Sequence, residues 1–209
     1  MEEQSFTCLH CLGDFPPPAD GWEITCPHCG VKQDLHGQFA YARAVSAFAD
    51  GQDILGQLPY LKKDKKEVGF RYRYTAREKE AFDFFSEAYS AFLEAFQYDL
   101  PRWQHEHSLQ MVVNIAHLFL PRQMISPLEA SYWNTLMVIQ TARQEDERLQ
   151  EKLANRKGIG ALFWRWRWQS RHDQLVKKMA ELGEKVHMME GGMKLAHPTR
   201  ALRNWQKVK

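Results

Sequence analysis

From Gln38 onward, apolar residues return at helical spacing with few interruptions. The first 36 residues lack that rhythm. Between Gln38 and Leu58, Phe39, Ala42, Val45, Phe48 and Ala49 fall on one face of a predicted helix, which Gly51, Gly56 and Pro59 fray and end. Thr75-Ala76-Arg77-Glu78 reads as a capping box opening a helix with Phe82, Phe85, Ala88, Tyr89, Phe92 and Phe96 inward. Pro101 starts the next helix, with Leu109, Val112, Ala116 and Phe119 in one stripe and a stop near Pro121. Ser126-Pro127-Leu128-Glu129 is a second capping box, and the helix it opens is expected to reach about Arg156. Its first half is apolar through Trp133, Leu136, Met137 and Ile139. Its second half is charged, with Leu149 and Leu153 as the main apolar points. Gly158-Ile159-Gly160 breaks the pattern. A last helix then carries Leu175, Met179, Leu182, Val186 and Met189 in an a/d seam, ending at Gly191-Gly192. An antiparallel hairpin turning at Gly158–Gly160 is the simplest arrangement, with a dimeric coiled coil as the competitor.

The non-helical N-terminal stretch contains all four cysteines of the chain: Cys8-Leu9-His10-Cys11, fourteen residues, then Cys26-Pro27-His28-Cys29-Gly30. A Cys-x2-Cys turn aims two thiolates at one point, and a second such turn opposite it completes a tetrahedron. Gly13 to Gly21 is dense in turn formers, and Trp22-Glu23-Ile24-Thr25 alternates apolar and polar like a short strand, so the segment between the pairs is expected to form a hairpin. Gly30 supplies the positive φ that lets amide groups face the sulfurs. At the equivalent place in the first turn stands Leu12, with Gly13 one residue late. These residues resemble the rubredoxin-like knuckles of zinc ribbons over about residues 5–33. The resemblance implies a metal and a small β-hairpin fold, and no particular function. Zinc is favoured over iron, because the loop is short and zinc needs no redox partner.

The resulting expectation is a mainly α protein with a ribbon at 1–36, an all-α domain at 37–190 and a basic tail at 191–209. Hydrophobic content of 44% is ample for a core. With every cysteine assigned to the metal pairs, none is left for disulfides, which fits a reducing compartment, most simply the cytoplasm. The N-terminus has no apolar signal region, and the most apolar run, Met111 to Leu120, is too short to span a bilayer. Net charge is +2 but unevenly spread: residues 1–150 hold 14 Lys/Arg against 21 Asp/Glu, and residues 151–209 hold 14 against 5. A basic C-terminal part of this kind meets an acidic surface, either its own N-terminal part, a protein partner, nucleic acid or anionic lipid.

Other candidate chemistry is thin. In His105-Glu106-His107 the two imidazoles point roughly 200° apart on a helix, so they do not share a metal. Glu184-Lys185-Val186-His187 has the spacing of a di-iron site but no second copy. His10 and His28, inside the cysteine turns, are read as side chains offsetting cluster charge, not as ligands. No phosphate-binding glycine loop and no nucleophile elbow occurs. Two basic–aromatic stretches remain: residues 62–74, with Arg71, Tyr72 and Arg73, and residues 163–171, with Arg165, Trp166 and Arg167. Arginine on phosphate and aromatic rings on unpaired bases suit single-stranded nucleic acid. The same residues suit packing, protein contact or, less well, a membrane surface. The leading expectation is a non-enzymatic binding or adaptor protein that has a structural zinc site and a protein partner or self-association. Nucleic-acid binding and a zinc–thiolate redox sensor are the alternatives.

Overall fold

The computed structural model describes residues 5–18, 21–57, 76–155 and 160–192. The chain is mainly α: among the described residues, five α-helices follow four very short strands. Strands β1 (Phe6–Thr7) and β2 (Asp14–Phe15) pair antiparallel, as do β3 (Glu23–Thr25) and β4 (Lys32–Asp34). The helices are α1 (His36–Gln57), α2 (Ala76–Ala95), α3 (Arg102–Phe119), α4 (Pro127–Asn155) and α5 (Gly160–Gly192). Two compact units result, one up to Ser108 and one from Leu109, so the division falls within α3.

In the first unit, α1 and α2 form the main helical packing. The buried stripe of α1 is not the one its large apolar residues predict. Ala40, Tyr41, Ala44, Ala47 and Gly51 face inward, whereas Phe39, Ala42, Val45 and Phe48 are only half-buried at the flanks and Ala49 is exposed. Small residues win because they let α2 come close. A Cβ on Gly51 would sit 2.9 Å from Phe85 Cε1 and 3.1 Å from the Ala81 carbonyl. Helix α2 supplies the bulk, burying Phe82, Phe85, Ala88, Tyr89 and Phe92, with Phe96 buried just past its end, as expected from sequence. At its N-terminus α1 also crowds the turn after α2, where a Cβ on Gly37 would meet Tyr98 Cβ at 2.8 Å.

In the second unit, α4 and α5 make an antiparallel hairpin. Ser126 Oγ accepts the Glu129 N–H (3.1 Å), the capping contact expected for α4. Trp133, Leu136 and Ile139 of α4 are buried, as are Leu175, Val186 and Met189 of α5. Met179 and Leu182 are half-buried along the same seam. Polar contacts fix the register: the Tyr132 hydroxyl donates to Glu190 (3.1 Å), Arg171 Nε to Glu145 (2.9 Å), and His172 Nδ1 meets Asp146 Oδ1 at 2.5 Å. Leu149 and Leu153 are half-buried, and past Asp146 α4 buries none of its described side chains, so this end of the hairpin is thinly covered. The capping residue Thr75, the break at 158–159 and the tail from 193 lie outside the described residues.

Candidate metal centre

Each cysteine pair sits at the tip of its own two-stranded hairpin. The segment between the pairs does not fold on itself. It contributes β2 to the first hairpin and β3 to the second. The two knuckles have the same backbone bonding. In the first, Cys8 N–H donates to the Gly13 carbonyl (2.9 Å) and Leu12 N–H to the Cys8 carbonyl (3.0 Å). In the second, Cys26 N–H donates to Val31 (2.9 Å) and Gly30 N–H to Cys26 (2.9 Å). This repeat demands a left-handed residue right after the second cysteine of each pair. Gly30 takes it at φ 74°, and Leu12 takes it at φ 60° despite its side chain. Gly13 therefore does not substitute for a glycine at position 12. Its role is close approach: a Cβ there would lie 2.7 Å from His28 Cδ2. The His28 ring packs over that gap and its Nε2–H donates to the Asp14 carbonyl (2.9 Å), tying the second knuckle to the first hairpin.

The four sulfurs converge. Cys8 Sγ lies 3.7 Å from Cys29 Sγ and Cys11 Sγ 3.7 Å from Cys26 Sγ, and all four ligand atoms lie within 4.8 Å of one another. A tetrahedral ion with metal–sulfur bonds of about 2.3 Å requires edges of about 3.8 Å, so the spacing fits a metal ion. Amide groups face the sulfurs as the knuckle reading expects. His10 N–H (3.4 Å) and Cys11 N–H (3.5 Å) donate to Cys8, and His28 N–H donates to Cys26 (3.4 Å).

The electrostatics favour a cation as well. The Cys11 N–H bond, against the effect of burial, holds the Cys8 thiol down at about 6, helped by the His10 N–H and by the Cys26 and Cys11 thiols. At Cys29 the Val31 N–H pulls downward, but burial and the Cys26, Cys8 and Cys11 thiols push the group up to about 12. The Gly13 N–H likewise lowers Cys11, yet desolvation and the Cys8 and Cys26 thiols leave it raised. Cys8 is held down while Cys11 and Cys29 are pushed up, as expected where thiolates crowded together oppose one another's ionisation. A bound dication removes that repulsion.

The site is anchored to the first helix. Phe6, Cys8, Phe15, Cys26 and Leu35 form a small buried core, with Ile24, Cys29 and Phe39 packed against it. Gln38 of α1, 1% exposed, bonds both sides of the Thr7 backbone, accepting its N–H (2.9 Å) and donating to its carbonyl (2.8 Å). Gln33 Oε1 accepts the Leu9 N–H (3.1 Å), linking β4 to the first knuckle. The Trp22 ring stacks on His36 (centroids 4.8 Å apart), which in turn stacks on Tyr98 (5.3 Å). Neither glutamine is visible as a site residue in the sequence. Its only signal is a buried amide beside a strand edge, which becomes apparent once the hairpins are paired.

The remaining candidates separate. His107 Nδ1 shares a hydrogen bond with the Tyr41 hydroxyl (2.9 Å), while His105 packs against Phe96 (centroids 5.2 Å apart), so the two imidazoles serve different contacts. Burial holds His107 below its ordinary value. On α5, Arg165, Trp166 and Arg167 are exposed, Trp166 at 73%, and Trp168 is half-buried. Arg71, Tyr72 and Arg73 lie outside the described residues.

The site thus defines a four-cysteine metal-binding module on two knuckles, followed by helices. No protein-family model matches the chain, and no characterised protein or solved structure matches it either. Among the described residues, no helix is long and apolar enough to cross a membrane.

Proposed function

We propose that the chain is a non-enzymatic binding or adaptor protein, built on a zinc ribbon whose metal is structural. The observation that carries this reading is the convergence of four cysteine sulfurs at tetrahedral spacing on two matching knuckles. Four protein thiolates fill a zinc ion's coordination, leaving no position for a substrate or activated water. Zinc suits this all-sulfur set and a reducing, cytoplasmic setting. The partner surface is the α4–α5 hairpin. A groove of about 450 Å³ along it is lined by Met137, Val138, Ala142 and Leu175, with Lys178 and the Arg171–Glu145 ion pair at its rim. Val138 is 42% exposed there. An apolar floor with a charged rim suits an amphipathic helix.

Native mass and metal determination on protein purified from its own host tests this. The expected result is one zinc per chain and a stoichiometric protein partner that is lost in Val138→Asp while zinc and helicity remain. A chain that carries no metal and no partner in either form contradicts it. A second reading, nucleic-acid binding, is favoured by exposed Trp166 beside exposed Arg165 and Arg167 on α5. That reading predicts co-purifying nucleic acid, released steeply by salt and weakened in Arg165→Ala/Arg167→Ala.

A further inference from the structure

The two knuckles match in backbone but differ in cover. Cys8 is 0% exposed and Cys26 2%, both inside the small core, and Cys29 is partly covered by that same core. Cys11 is the exposed member of the four. Leu12, directly after it, is 69% exposed, so the Cys11 corner of the cluster is the most open to solvent, with Cys29 intermediate and Cys8 and Cys26 covered. Two sulfur contacts run between the knuckles: Cys11 with Cys26 and Cys8 with Cys29, each at 3.7 Å.

Resting on the metal-site reading above, we propose that Cys11 is the oxidation site of the chain, and that peroxide converts it and Cys26 into a disulfide joining the two knuckles. A metal-held cysteine is a thiolate, and the thiolate is the nucleophile toward peroxide, so reactivity among the four is decided by access. The Cys11 sulfur attacks one peroxide oxygen, the O–O bond breaks, and hydroxide leaves as water after taking a proton. Cys11 is then a sulfenic acid. The Cys26 thiolate attacks that sulfur. An S–S bond forms, the S–O bond breaks, and a second hydroxide leaves as water. The two sulfurs together lose two electrons and the peroxide gains them. Two of the four ligands are consumed, so metal is released, and Cys8 and Cys29 are left adjacent for a second bridge.

The test uses the full-length protein with its metal content measured beforehand. It is exposed to hydrogen peroxide with a sulfenic-acid trap, released zinc is followed with a chromogenic chelator, and thiols are mapped by peptide mass spectrometry. The expected result is trapping at Cys11 about tenfold ahead of the other three, as access-controlled thiolate reactivity implies. Without the trap, a Cys11–Cys26 bridge should form in step with loss of zinc. Equal trapping at all four, trapping first at Cys29, a Cys8–Cys11 bridge, or zinc kept with four reduced thiols would each overturn the inference while leaving the metal site intact. Protein that holds no metal before oxidation would overturn both.

Discussion

The ribbon and the α4–α5 hairpin hold themselves together by opposite means. The ribbon has strands of two or three residues and a fully buried core of five side chains, too little apolar surface to fold on that basis alone. A metal bound by the four cysteines would supply what the core lacks, because binding to a site that exists only when folded contributes directly to folding. The hairpin spreads its stabilisation along two helices of 29 and 33 residues and uses polar pairs mainly to fix register. Damage to the ribbon should therefore be all-or-none, and damage to the hairpin graded.

The largest effect is expected from Cys26→Ser, which should abolish metal binding and unfold the hairpins at both knuckles. Helical circular dichroism should fall only modestly, since the loss reaches α1 through Phe39 and Gln38 and stops there. Loss of nearly all helix would show that the ribbon nucleates the helices. Gly51→Ala comes next. The added methyl meets Phe85 and the backbone of Ala81, and overpacking of this kind costs about 1–3 kcal/mol, read as a lower denaturation midpoint with metal content unchanged. In the hairpin, His172→Ala removes a partner of Asp146, which is 7% exposed and keeps the Gln150 amide (2.9 Å). An under-satisfied buried acceptor costs about 1–3 kcal/mol, with no effect on the metal.

Acid gives a smaller, pH-limited effect. Folding keeps His107 neutral, below its ordinary 6.5, so as pH falls the unfolded chain takes up the proton first. Stability from this group is complete above about 6.5 and is lost as pH drops through the lowered folded value. His107→Gln should flatten that part of the stability profile, measured as denaturation midpoints at successive pH values. The smallest effect belongs to Lys32→Ala. It breaks an exposed ion pair with Glu23, and pairs of this kind contribute less than about 1 kcal/mol.

Much of this contrast was legible in the residues. The cysteine spacing located the cluster, and the capping box at Ser126 placed the start of α4 where it lies. The a/d spacing from Leu175 to Met189 picked out the seam of α5. Less legible was anything set by close approach. Apart from Tyr41, the buried stripe of α1 is built from alanines and Gly51, which a reading weighted toward large apolar side chains passes over. Gly13 looked like a displaced turn glycine, whereas Leu12 bears the positive φ and Gly13 makes room for His28. Gln33 and Gln38 look like surface residues until strand pairing leaves backbone groups for them to satisfy. Such roles depend on which elements meet, and periodicity along one element does not carry that information.

The most direct test of the central claim is metal stoichiometry by native mass spectrometry, paired with a count of reactive thiols. One zinc per chain, with the thiols shielded until a chelator or acid removes the metal, is the predicted result. Metal-free protein with an ordered ribbon and four freely titrating thiols would contradict it.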